Sequence, residues 1–116
     1  MQDDPNRVGY EWAAHSVYPK HAEPETFRTT VGGKDCKQPY SASIYNISAM
    51  SYGALSKTAV MSLNKGAKLG NFAHNTGEGG ISDYHRKGGD LIWQIGTGYF
   101  GCRDEHGNFS ASLYQE

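Results

Sequence analysis

Glu78 is the carboxylate of the stretch HNTGEGG, residues 74–80, where Gly77, Gly79 and Gly80 surround it with bare backbone. A glycine-rich turn exposes free amides and invites a phosphate, but a fixed carboxylate inside it repels that dianion. The pattern better suits a substrate that carries N–H groups or develops positive charge, with the flanking amides left for the substrate's own acid groups. A tight turn with an exposed, solvated glutamate uses the same residues, so the stretch alone leaves both readings open.

A second glycine cluster, GTGYFG at residues 96–101, has the spacing GxGxxG after an apolar run. A dinucleotide fingerprint must open a helix whose N-terminus faces the pyrophosphate. Here CRDEHGNFS follows, and EHGN reads as a turn. These glycines are expected to let a strand end come close to something flat.

The elements that must position both loops follow from spacing. In YSASIYNISAM, the β-favouring Ile44, Tyr45 and Ile47 predict a short strand ending near Met50. Ser56 can cap a helix over residues 56–69, where Leu55, Ala59, Val60, Leu63 and Ala67 recur at helical spacing. Gly70 is placed for the left-handed residue that ends it. NFAHNT predicts a second strand leading into the Glu78 loop, and DLIWQIG a third. Strand, helix, strand implies parallel pairing through a right-handed crossover. Residues 1–39, rich in Pro, Gly, His and charge, show no sustained period and predict an extended N-terminal segment with turns.

Composition excludes several classes. The 116 residues fit one modest domain or part of one, and 37% hydrophobic residues with 15 glycines predict a small core. A net charge of -1 from 11 basic and 12 acidic residues offers no extended basic surface, so no nucleic-acid partner is expected. No apolar run approaches the length of a membrane span, and MQDDPNR does not resemble a signal peptide, which predicts a cytoplasmic location. Cys36 and Cys102 stand far apart without metal-binding spacing, so reduced structural thiols and no metal or iron–sulfur ligands are expected.

NISAMSYGALSKTAV, NKGAKLGNFAHNTGEGG and IWQIGTGYFG occur in this order, and together they resemble the FMN-binding domain of glutamate synthase over residues 39–101. The resemblance implies an α/β fold, the N-terminal portion of a (β/α)8 TIM barrel with about three parallel strands, occupying residues 40–116. It implies bound FMN and reductive amination of 2-oxoglutarate through an iminium that takes hydride from the reduced flavin. Glu78 would face the iminium or incoming ammonia, as the catalytic acid of the family's loop.

Ala49, Met50 and Ser51 correspond to the family's first strand end against the flavin, and Gly53 keeps that approach open. Asn75, Gly77, Gly79 and Gly80 correspond to the substrate-facing loop. Gln94 corresponds to the glutamine of a KQxxSGRFG strand end that would contact flavin or substrate. Trp93 stands where that pattern has lysine and Tyr99 where it has arginine, which leaves the carboxylate partner of the substrate open, with Arg103 a substitute. Structural roles remain beside these: Gln94 as a bridge between strand ends, Ser51 as the start of a turn, His74 as a packing histidine. Tyr52, Phe72 and Trp93 read as core, and His85 and His106 as surface residues.

A whole barrel needs about 250 residues. The family's later lysine segment, cluster cysteines and glutaminase domain have no counterpart in these residues. Two functions follow: part of a glutamate synthase-like oxidoreductase, or a non-catalytic truncated fragment or assembly module keeping the motifs. Expected partners are 2-oxoglutarate, a glutaminase or electron-donor subunit, and further copies of a part-barrel whose sheet edges are open.

Overall fold

Ser56 begins the longest helix among the described residues by turning its hydroxyl back on the first turn. Its φ of -69° and ψ of 155° are extended, and its Oγ accepts the amide of Ala59 at 3.2 Å, which satisfies one otherwise orphaned donor. In the computed structural model, which describes residues 6–115 apart from 10, 12 and 22, this helix, α1, spans Lys57–Gly70. The first residues of the expected N-terminal segment therefore lie outside the described residues. Gly70 is the last helical residue, and the left-handed position falls to Asn71, with φ 52° and ψ 51°. Asparagine tolerates that region because its short polar side chain bonds locally. The backbone amide of Asn71 bonds to the carbonyls of Ala67 and Lys68.

Among the described residues, four strands flank the helix in sequence. β1 (Arg28–Val31) and β2 (Tyr40–Ser43) form an antiparallel hairpin. The expected boundary at residue 39 thus falls inside a hairpin whose strands lie on either side of it. β3 (Ala73–Asn75) and β4 (Asp90–Ile92) form a parallel pair, with His74 opposite Leu91. On the other side of β3, the Ile47 amide bonds to the Ala73 carbonyl at 2.8 Å, Asn75 returns a bond to Ile47 at 3.0 Å, and Met50 bonds to Asn75 at 3.1 Å. Residues 47–50 therefore run parallel to β3, so three chain segments lie side by side and parallel.

The predicted first strand is shifted. Its regular ladder is β2, while Ile44 and Tyr45 are 62% and 84% exposed and belong to no strand. A bend at 44–45 separates the hairpin from residues 47–50, because one straight strand cannot pair with both β1 and β3. The predicted third strand is shorter than DLIWQIG, with its ladder ending at Ile92.

The core is small. Val60, Ala67, Ala73 and Cys102 are its buried apolar residues, and Val60 and Ala67 lie on the α1 face turned to β3 and β4. The radius of gyration is 19.0 Å, against about 13 Å for a self-contained domain of this length. Ile92, Ile95 and Phe100 remain substantially exposed. Tyr52, expected in the core, is 46% exposed and rests against the Tyr84 ring. Phe72 and Trp93 are half-buried. Cys36 is exposed and Cys102 buried, both as free thiols. A five-residue helix, α2 (Ala111–Gln115), closes the described chain. No helix among the described residues is long and apolar enough to cross a membrane.

Candidate functional site

Parallel strands bring their carboxyl ends to one edge, and here that edge carries the loops singled out by their glycines. Thr76, fully buried, ties two of them together. Its amide bonds to the Ile92 carbonyl at 3.0 Å, its Oγ1 accepts the Gln94 amide at 3.1 Å, and the same hydroxyl donates to the Gly77 carbonyl at 3.0 Å. Gln94 is thereby held beside the Glu78 loop. Its side-chain Nε2 lies 3.4 Å from Glu78 Oε1, a long hydrogen bond joining two side chains 16 residues apart in sequence.

The glycines around Glu78 are explained first by the chain itself. A Cβ on Gly77, where φ is 69°, would fall 2.2 Å from Ser51 Oγ and 2.7 Å from Ser51 N. On Gly80, with φ 82°, it would fall 2.9 Å from the Phe100 carbonyl oxygen. Both residues are buried, so their backbone packs on neighbouring strand ends, whereas Gly79 and Glu78 are exposed. A Cβ on Gly96 would meet the Glu78 side chain at 3.0 Å, so the glutamate lies across bare backbone of the second glycine cluster. Asn75 Oδ1 accepts the Gly77 amide at 2.8 Å and shapes the turn from within. Ala49 is exposed, and Met50 and Ser51 are half-buried at the end of the neighbouring segment.

Residues 96–102 turn on themselves: Tyr99 bonds back to Gly96 at 3.0 Å and Cys102 to Tyr99 at 2.9 Å, with Tyr99 itself at φ 51°. No helix opens there, so a pyrophosphate would lack its helix N-terminus. The EHGN turn is built on Asp104, whose Oδ1 accepts the amides of His106 and Asn108 at 2.9 and 2.8 Å. The Arg103 guanidinium sits over the Phe100 ring at 4.4 Å, engaged with an aromatic face rather than with Glu78 or Gln94. No cluster of metal-binding side chains occurs among the described residues.

Behind the rim lies a polar network that periodicity did not expose. Asn64 is buried on the apolar stripe of α1, and its Oδ1 accepts the amides of Lys87 and Gly89 at 2.8 and 3.1 Å. Its Nδ2 must then donate to His74 Nδ1, 3.1 Å away, which makes His74 a packing histidine with its proton on Nε2. That nitrogen is buried without a partner among the described residues. His85, expected at the surface, is fully buried, and its ring centre lies 5.4 Å from that of His74. His106 is exposed. The detectable signal for Asn64 was its position, since an amide four residues after Val60 on a buried stripe needs partners.

Burial pushes the His74 imidazole below its ordinary pKa, and the nearby His85 imidazole adds to the effect. The folded chain therefore resists a proton that the unfolded chain accepts below about pH 6.5. More protons bind the unfolded state in that window, so stability is complete above it and falls as pH drops toward the lowered folded value. The thermal midpoint should be lower near pH 5.5 than near pH 7.5, and His74→Gln should shrink the difference. An equal pH drop in wild type and variant would assign the acid sensitivity elsewhere.

Beyond the ends of the parallel β3 and β4, Glu78 and Gln94 thus stand side by side among glycine-tight loops. The chain belongs to the glutamate synthase family: the conserved region in glutamate synthase matches residues 20–113. It is 51% identical over 83 residues to the glutamate synthase large subunit-like protein YerD of Bacillus subtilis (strain 168), an alignment covering 69% of this chain and 16% of that relative. The chain thus spans a small part of the relative's length. No solved structure matches.

Proposed function

We propose that this chain forms the first part of an FMN-dependent, glutamate synthase-like oxidoreductase that makes glutamate by reductive amination of 2-oxoglutarate. The observation that carries the reading is the meeting of Glu78 and Gln94 across two parallel strand ends, 3.4 Å apart. Family membership supports the oxidoreductase class, and the rim geometry supports the choice of residues.

The rim fits one side of a flat, hydrogen-bonding cofactor. Ala49, Met50 and Ser51 end one segment, and Gln94 offers an amide on another, beside the Glu78 side chain that lies over the Gly96 backbone. FMN, bound there and reduced by an external electron donor, would supply the hydride. Gln94 would donate to an acceptor on the flavin or substrate edge, and Ser51 would fix the neighbouring strand end. Glu78, exposed at the rim, would stabilise the cationic carbon–nitrogen centre formed from 2-oxoglutarate and ammonia, because a positioned carboxylate favours positive charge developing beside it. Asn75 holds the loop through its bond to Gly77, and Gly79 is the loop glycine open to substrate. Gly77 and Gly80 act on the substrate through the shape of the loop.

The small core and the exposed Ile92, Ile95 and Phe100 support a TIM barrel completed by further strands, which also supply the phosphate end of such sites. A glutaminase or electron-donor subunit, and a cytoplasmic setting, belong to the same reading. Two measurements test it. The complete protein should bind FMN and form glutamate from 2-oxoglutarate with an ammonia source and a reductant, and absence of both properties would remove the assignment. This chain alone should bind FMN poorly, since only one side of the pocket is supplied. A tight, stoichiometric quench of flavin fluorescence on titration would overturn the part-barrel arrangement.

A further inference from the structure

The loop that follows Glu78 doubles back beneath the rim and ends in a fully buried imidazole. Ser82 donates its amide to His85 Nδ1 at 3.1 Å, and its Oγ lies 2.9 Å from the same nitrogen. An atom that accepts a backbone N–H carries no proton, so the His85 proton is on Nε2. That Nε2 lies 2.9 Å from the Met50 carbonyl oxygen, 35 residues away in sequence, and must donate to it. The Met50 amide is already bonded to the Asn75 carbonyl at 3.1 Å, and the Ser51 carbonyl accepts the Leu55 amide at 3.0 Å. Three successive peptide groups around Met50 and Ser51 are therefore held, the middle one by a side chain.

We infer that His85 is a positioning residue for the flavin-facing strand end, a role that rests on the FMN reading above. The bond fixes Met50, and Met50 fixes Ser51. Ser51 in turn packs so closely on Gly77 that no Cβ fits between them, so a displaced Met50 carbonyl is transmitted to the base of the Glu78 loop. Ser82 and His85 belong to the segment directly after that loop, which closes a circuit: Glu78 loop, Ser82, His85, Met50, Ser51 and back to Gly77. The imidazole thus couples the position of the cofactor edge to the position of the acid that faces the substrate.

The test uses the complete, FMN-bound protein. His85→Leu removes the donor, whereas His85→Gln keeps an N–H at a reach close to that of Nε2. His85→Leu should weaken FMN binding by about tenfold, the loss expected when one buried hydrogen bond is deleted, and change the flavin absorbance envelope. His85→Gln should recover most of the affinity and the spectrum. A folded His85→Leu protein with wild-type affinity and spectrum overturns the role, as does a Gln variant no better than Leu. If His85→Leu does not fold, Ser82→Ala, which loosens the ring while leaving Met50 its donor, carries the test: a measurable loss of FMN affinity supports the role, and unchanged affinity overturns it. Wild-type protein that binds no FMN overturns the flavin reading and the positioning role with it, whereas wild-type binding with unmoved variants overturns the positioning role alone.

Discussion

Glu78→Gln in the complete protein is expected to lower turnover by on the order of tenfold to a thousandfold, the range seen when one positioned electrostatic group is removed. The substitution keeps size and hydrogen-bonding capacity and removes the negative charge. Glu78 is exposed and its side-chain bond to Gln94 is long, so the native fold depends little on that charge. A glutamine can still bond with Gln94 through either end of its amide. Loss of activity with an unchanged thermal midpoint would therefore locate the effect in charge stabilisation beside the substrate. Unchanged turnover would return Glu78 to a solvated turn residue.

The contrast between Glu78 and its surroundings marks how far the sequence carries. Helix α1 was legible because its information is local: Ser56 caps, the apolar residues recur at the helical period, and a left-handed residue follows. The end was misplaced by one position, since Gly70 and Asn71 can both take the role and only the backbone geometry decides. The Glu78 and Gln94 loops were legible from glycine spacing and from the family's motifs, as both follow predicted strands.

The hairpin and the burial of His85 were not legible for the opposite reason. RTTV is a short β-branched run before Gly32 and Gly33, yet its pairing with YSAS is a long-range match that neither segment announces. His85 lies in SDYHRKGG, among charged neighbours that read as surface, and its burial comes from Met50, far away in the chain. Likewise the loop glycines looked like openings for a substrate, whereas Gly77 and Gly80 are glycines because Ser51 and Phe100 occupy the space a side chain would need. A polar residue at the helical period, Asn64, was the one long-range feature with a local clue.

That steric reading of Gly77 gives the sharpest structural expectation. At φ 69° an L-residue is strained, and the new Cβ would lie 2.2 Å from Ser51 Oγ and 2.7 Å from Ser51 N. The hydroxyl can rotate away, but the backbone nitrogen cannot move without breaking the Met50 bond to Asn75 and the Ser51 bond to Leu55. Gly77→Ala should therefore destabilise the fold by about 1–3 kcal/mol, the combined scale of a left-handed alanine and an overpacked contact. Gly79→Ala provides the comparison: its Cβ would meet the Tyr52 carbonyl oxygen at 3.4 Å and Ser51 Cβ at 3.7 Å, both ordinary contacts, and its φ is not in the left-handed region. Chemical denaturation of both variants should show a clear midpoint shift for Gly77→Ala and a small one for Gly79→Ala. Equal shifts, or a stable Gly77→Ala, would mean that the Glu78 loop does not sit against Ser51, and the rim that joins Ser51, Glu78 and Gln94 would have to be redrawn.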